Sequence, residues 1–325
     1  MAYIPSAPPP IQPLPPHGSR PRWSVMIPVY NCSQFLPETL QSVLAQQIPE
    51  HQMQIEVVDD ASTDTDVEAL VLSIGKGRIK YFRQEKNVGS LLNFETCLNR
   101  STGDLVHLLH GDDLIREGYY SKMEDLLTKY PDAGAAFCRY SCINEAGRKV
   151  YHKTPEMRRD GILKNWLLTI GERQHIQYVA MTVRRKVYEK LGGFFGVEYG
   201  EDWEMWVRIA RHFPVAYTPD MLADYRKHEA SISGSKFLTG EHLQDLLQAM
   251  MLIQEHLPDE KKQHILQKSK RYYAGYSIKI AKELWRKLHN RQVAEVQIAH
   301  ALELHKSPLL YWMIIKLQFQ FLLNR

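Results

Sequence analysis

Residues 23–29 read Trp-Ser-Val-Met-Ile-Pro-Val and residues 55–60 read Ile-Glu-Val-Val-Asp-Asp, two short apolar runs of which the second ends in paired carboxylates. Working outward, Ile79–Phe82 and Leu105–Leu109 repeat the apolar pattern. Between these runs, Phe35–Leu44, Val67–Ile74 and Leu91–Leu98 carry amphipathic, helix-like spacing. The order is β-α-β-α-β-α-β. Runs that are apolar without strict alternation suit strands covered on both faces, so an α/β fold with a mostly parallel sheet flanked by helices is expected. Ligands of such a sheet sit beyond the carboxyl ends of its strands.

The chain has 325 residues, room for one large or two modest domains with a real core. Apolar residues at 44% and charged residues at 24% exclude a disordered chain, a collagen-like repeat and a multi-span membrane protein. A net charge of +4 is too mild to imply nucleic acid as a partner. The four cysteines, Cys32, Cys97, Cys138 and Cys142, lack zinc-site spacing and read as free thiols of a reducing compartment. Residues 1–21 contain eight prolines and no apolar stretch of the length an export signal needs, so a flexible tail and a cytoplasmic protein are expected. A proline-recognising partner is the alternative for Pro8–Pro16. After about Ser235 the pattern becomes helical over His242–Leu257, Lys261–Leu288, Gln292–Leu304 and Leu309–Leu323, with Pro258 and Pro308 as internal boundaries. The expected organisation is a tail over 1–21, an α/β domain over 22–235 and a helical region over 236–325.

Three acidic stretches carry the chemistry. Asp59-Asp60-Ala-Ser-Thr-Asp64 follows an apolar strand; Ser62 or Thr63 could cap a helix, but a cap does not require two adjacent acids, and ligand contact is the other reading. Leu109-His110-Gly111-Asp112-Asp113 again ends a strand in carboxylates, the oxygen ligands that Mg²⁺ or Mn²⁺ takes together with phosphate oxygens; a Gly-Asp turn is the alternative. In Gly200-Glu201-Asp202-Trp203 the acids open a predicted helix, where they could be caps or, beside indole rings, a carboxylate whose desolvation tunes it as a base. Asn87-Val-Gly89-Ser90 offers backbone N–H groups either to phosphate or to a plain turn.

Taken together, Ser24-Val-Met-Ile-Pro-Val-Tyr-Asn31, Asp59–Asp64, Asn87–Gly89, His110–Asp113 and Gly200–Trp203 resemble a family 2 glycosyltransferase of GT-A (Rossmann-like) fold, in the family's order over residues 22–235. The resemblance implies that Pro28, Tyr30 and Asp60, with Asp59 and Asp113 beside the motifs, bind the nucleotide. It implies that Asp112, the last aspartate of an Asp-x-Asp element, holds a divalent cation (Mn²⁺ or Mg²⁺). His110 replaces the first aspartate of that element, where a ring nitrogen can still hydrogen-bond a ribose or a metal-bound water. Asp202 matches the base that deprotonates the acceptor, and Glu201 and Trp203 match the walls of the acceptor pocket. His228, in Tyr225-Arg-Lys-His228, resembles the segment that closes over the diphosphate and its metal, with Arg226 alongside.

The implied reaction is metal-dependent, inverting transfer of a sugar from a nucleotide-diphosphate sugar to a glycan or lipid-linked glycan hydroxyl. The rivals are transfer onto a polyprenyl phosphate, or a nucleotide- or glycan-binding protein that keeps the fold without turnover. A glycoside hydrolase accounts for paired carboxylates but not for the nucleotide and metal features. Residues 261–287 hold nine Lys or Arg and one acid, Glu283, interleaved with aromatic residues. This pattern and the amphipathic Leu309–Leu323 fit either attachment to the inner face of a membrane or packing against the domain or a dimer partner.

Overall fold

The computed structural model describes residues 3–15, 19–229 and 231–323. Every residue of Trp23–Val29 (β1) is buried, and Met53–Asp59 (β2), Lys80–Arg83 (β3) and Leu105–Leu108 (β4) extend the sheet around it in parallel. Burial on both faces demands apolar residues at successive positions, which is why these strands lack alternation. β3 forms the margin and carries Lys80 and Arg83 at its ends, charges that discourage pairing with another chain. Leu36–Leu44 (α1), Val67–Gly75 (α2) and Ser90–Arg100 (α3) supply the crossovers, each burying one apolar stripe.

The second half departs from the expected parallel order. Among the described residues, Leu114–Ile115 (β5), Ala135–Ile143 (β6), Lys149–His152 (β7), Gly161–Ile162 (β8), Met181–Arg184 (β9) and Val215–Arg226 (β10) complete a ten-stranded sheet. Its order is β3-β2-β1-β4-β9-β6-β10-β5, with β7 beside β6 and β8 beside β10. β9 runs antiparallel to both β4 and β6, whereas β6 and β10 are parallel. The sheet is therefore mixed. β9 is reached through the irregular stretch 173–180 rather than straight from a crossover helix, so no βαβ unit dictates its direction.

Tyr119–Lys129 (α4), Trp166–Glu172 (α5), Arg185–Leu191 (α6) and Glu201–His212 (α7) fill the remaining connections. α7 starts from Gly200, whose φ of +96° is natural only for glycine and swings the acidic first turn inward. The helical region comprises Ile232–Thr239 (α8), Glu241–Gln254 (α9), Asp259–Leu288 (α10), Arg291–Leu304 (α11) and Pro308–Leu323 (α12). Pro258 stands just before α10 and Pro308 opens α12, positions where a missing N–H costs nothing. Leu257 and Ile265 close on Gly171 of α5, where a Cβ would lie 3.1 Å from Leu257. The helical region thus packs directly on the α/β core.

The proline-rich segment, expected to be a flexible tail, is docked over its described residues. Ile11 is only 2% exposed. The carbonyls of Pro9 and Pro5 accept the N–H groups of Gly193 at 2.8 Å and Gly196 at 2.9 Å, and the Arg185 guanidinium donates to the Gln12 carbonyl at 2.8 Å. Extended proline-rich backbone makes no internal hydrogen bonds, so its carbonyls are available to distant partners that composition cannot reveal. Ile11→Ala should lower the unfolding free energy by ~2–4 kcal/mol in urea denaturation, whereas an undocked segment would leave it unchanged.

Candidate active site

A cleft of about 390 Å³ opens beyond the carboxyl ends of β1, β2 and β4, within the size range of small-ligand sites. Pro28, Tyr30, Asp60, His110, Asp112, Asp113, Glu201, Asp202, Trp203 and His228 all line it. Acids separated by some 50 to 140 residues in the chain, Asp60, Asp112 and Asp202, therefore share one space.

The two acids after β2 divide their work. Asp60 faces the cleft and its carboxylate accepts the N–H groups of Val88 at 2.7 Å and Gly89 at 3.0 Å. Those N–H groups are thus committed to Asp60 and not to phosphate. Burial raises the Asp60 carboxyl above its ordinary value, and the two N–H bonds oppose that rise. Asp59 does not line the cleft: it accepts Tyr81 Oη at 2.7 Å and the Ser62 N–H at 2.9 Å, and pairs with Arg83. Asp59 builds the turn that presents Asp60. Next to it Ala61 sits at φ +59°, a left-handed conformation held by this network and unusual for a residue with a Cβ.

Around the Asp-x-Asp position, one ligand atom each from His110, Asp112 and Asp113 lies within 4.8 Å of the others. Among the described residues, His110 Nε2 and His228 Nδ1 are buried side-chain atoms without a hydrogen-bond partner. The His110 ring stacks on Phe94 at 5.3 Å and lies tilted against Tyr178 at 4.4 Å, and burial lowers its basicity, leaving a neutral imidazole with a free nitrogen. His228 Nε2 lies 2.8 Å from Asp112 Oδ2. Carboxylate oxygens with an imidazole nitrogen fit a divalent cation.

Arg226 is not in the cleft lining, contrary to the diphosphate role expected of it. Its guanidinium donates to the carbonyls of Asp112 (2.9 Å), Glu145 (2.9 Å) and Asn144 (3.3 Å) and to Glu38 Oε2 (2.5 Å), while its backbone N–H donates to Asp113 Oδ1 at 2.8 Å. The side chain is fully buried against the Phe35 ring. Such saturation makes it a clamp on the Asp112-Asp113 turn.

On the opposite wall, the first turn of α7 presents Glu201 and Asp202. Asp202 is 9% exposed and Oδ1 accepts its neighbour Trp203's N–H at 2.7 Å. Burial is the main cause that pushes its carboxyl up to about 7. Glu201 accepts the Tyr178 hydroxyl at 3.0 Å, and its carboxyl is raised by burial and by repulsion from Asp202. Trp203 is buried, with Nε1 donating to the Ile170 carbonyl at 2.6 Å and its ring 5.3 Å from Tyr273. Tyr178, Gln174, Gln177, Tyr225, Leu246 and Tyr273 complete the cleft and were not picked out from sequence. Gln174, Gln177 and Tyr178 lie in an irregular segment without a motif, and Leu246 and Tyr273 arrive from α9 and α10 through tertiary packing alone.

Residues 24–192, just over half of the chain, match the Glycosyl transferase family 2 profile. The chain belongs to glycosyl transferase family 2. This glycosyltransferase is 24% identical over 214 residues to an uncharacterized glycosyltransferase of Rickettsia typhi, covering 65% of this chain and 66% of that one. It is 27% identical over 242 residues to an uncharacterized protein of Mycobacterium tuberculosis, covering 68% and 71%. The matches thus span roughly two thirds of these curated relatives. Its fold is similar to Staphylococcus aureus TarS in complex with UDP-GlcNAc (TM-score 0.65, 16% identity, 92% of this chain and 89% of that one). It also resembles the mannosyltransferase PcManGT of Pyrobaculum calidifontis in complex with GDP-Man and Mn²⁺ (TM-score 0.58, 18% identity, 99% and 91%). At such identities the likeness establishes the GT-A architecture alone.

Removing the clamp of this glycosyltransferase leaves the Asp113 side untouched at the backbone but strips the guanidinium from three carbonyls and Glu38. Arg226→Met should therefore cost about 3 kcal/mol or more in ligand-free thermal or urea unfolding, because buried acceptors lose their donors.

Proposed function

We propose that this glycosyltransferase moves a sugar from a nucleotide-diphosphate sugar to a hydroxyl of a glycan or lipid-linked glycan, with inversion at the anomeric carbon. The observation that carries the reading is Asp202, held in the same cleft as Asp60, His110 and Asp112 with its carboxyl pushed up to about 7. The nucleotide lies against Pro28, Tyr30 and Asp60, beyond the ends of β1 and β2. Glu201 and Trp203 wall the acceptor side. The likeness to proteins solved with UDP-GlcNAc and with GDP-Man and Mn²⁺ supports a donor of this class.

Asp112, with His110 and Asp113 beside it and His228 bonded to it, would hold a divalent cation, Mn²⁺ or Mg²⁺. When bound, such a cation neutralises the charge that develops on a departing diphosphate. Asp202 takes the proton of the acceptor hydroxyl while that oxygen bonds to the anomeric carbon. The bond between that carbon and the diphosphate oxygen breaks on the opposite side, and its electron pair leaves with the nucleoside diphosphate. General-base assistance of this kind contributes roughly 10²–10⁴-fold in rate. Glu201, its carboxyl raised above the ordinary range by burial and by Asp202, shares the buried first turn with the base. A lipid-linked acceptor would place the enzyme on the inner face of a membrane. Among the described residues no helix is long and apolar enough to cross one, so attachment would be peripheral.

Asp202→Asn should reduce transfer at least ~10²-fold while donor affinity, measured by calorimetry with Mn²⁺, stays within about twofold. Asp112→Ala should do the reverse to binding, weakening the donor and abolishing its dependence on Mn²⁺; equal loss of donor affinity in both variants would sink the division of roles. Because the base must be unprotonated, kcat/KM should fall about tenfold per pH unit below an inflection near pH 7. The stability contribution has the opposite sign. A carboxyl raised from 3.8 to about 7 binds its proton more tightly when folded, so its contribution is full below pH 4 and is lost as pH rises through 7.

A further inference from the structure

α12 is apolar on two sides. Leu310, Leu317 and Phe321 are buried, and the Phe321 ring meets Trp285 of α10 at 4.7 Å between centroids. At about 100° per residue, Tyr311, Trp312, Ile315, Phe319 and Leu322 fall on the other half of the helix. All five are exposed, from 45% at Tyr311 to 60% at Phe319. An outer helix ordinarily turns polar residues to that side, but here Lys316, Gln318 and Gln320 stand only along the borders of the stripe. Five large apolar side chains on one helix face make a patch that needs a partner, unlike scattered single ones.

Charge decides which partner fits. α12 contains no acid. Lys316 lies over the Trp312 ring at 5.2 Å, and Arg291 lies over Phe321 at 5.8 Å while donating to Gln318. Arg286 and Lys287 end α10 directly after Trp285, and Lys306 precedes α12. Of the nearby acids, Glu295 pairs with Arg291 at 2.7 Å, Glu229 stands 3.6 Å from Lys287 and Glu303 lies 3.2 Å from His300. A second copy docking through the same stripe would set this cationic rim against itself, with no acid on α12 to answer it. An anionic lipid surface supplies the missing charge and accepts the apolar stripe at its headgroup boundary, a depth that suits Tyr311 and Trp312. With 16 residues, α12 is shorter than the ~20 needed to span a bilayer, so it would lie in the plane of the surface.

We propose that the outer stripe of α12, rimmed by Lys316, Arg291, Arg286 and Lys306, docks this protein in plane on an anionic lipid surface. The assignment does not rest on the transfer reading, since vesicle binding and turnover are measured separately and either can fail alone. The test is co-sedimentation of the full chain with phosphatidylcholine vesicles, with and without phosphatidylglycerol. Binding is expected to the phosphatidylglycerol vesicles and to weaken as salt is raised. Ile315→Ser with Phe319→Ser should lower the partition coefficient at least about tenfold. Lys316→Glu should lower it about fivefold or more on the anionic vesicles only. Both sets alter exposed side chains, so melting temperatures should stay unchanged. The proposal is overturned if the chain sediments with neither vesicle, or binds both equally. A dimer in light scattering that Phe319→Ser dissociates would overturn it too.

Discussion

The Asp112-Asp113 turn depends above all on one buried cation, Arg226, with His228 bonded to Asp112 and Thr39 to the Gly111 carbonyl beside it. A carboxylate pair beyond the end of β4 repels itself and is costly to desolvate; burial and the neighbouring Asp112 raise the Asp113 carboxyl well above its ordinary value. Arg226 offsets this from the end of β10, with its backbone N–H on Asp113 and its guanidinium on the Asp112 carbonyl, Glu38 of α1 and the carbonyls of Asn144 and Glu145. Four separate segments are tied to one cation. The parallel half of the sheet and the β6–β10 pair are thereby kept in register where the cleft opens between them.

The same logic of unequal environments governs the opposite wall. Glu201 and Asp202 are adjacent on α7 and both buried, yet Glu201 faces a hydroxyl donor while Asp202 is bonded to its neighbour's N–H. Burial raises both carboxyls above their ordinary values, against the hydrogen bond that each accepts. Gly200 makes this geometry available, because a left-handed residue is required to aim the first turn of α7 into the cleft.

The parallel strands were legible because burial on both faces leaves a plain mark, as in Val25-Met26-Ile27. The cleft acids were legible because Asp60, Asp112 and Asp202 each follow a recognisable strand end or helix start. Other assignments depended on direction, which residue type does not encode. Asp59 and Asp60 are chemically identical neighbours, but strand pleating sends them to different sides, one to Arg83 and one to the cleft. Arg226 looked like an anion binder and is instead consumed by carbonyls of its own chain. Gln174 and Tyr178 carry no local signal, and the docking of Ile11 depends on partners far along the chain. β9 carries no legible signal, because four residues after an irregular segment leave too little pattern to read.

α10 is a single helix of 30 residues that touches both ends of the protein's working surface: Tyr273 lines the cleft, and Trp285 seats α12. The twelve residue steps from one to the other amount to roughly 18 Å of rigid rise. A helix neither stretches nor folds on itself, so α10 behaves as a ruler. Anything resting against α12 stands at a set height from the cleft, fixed by backbone geometry before any side chain contacts it.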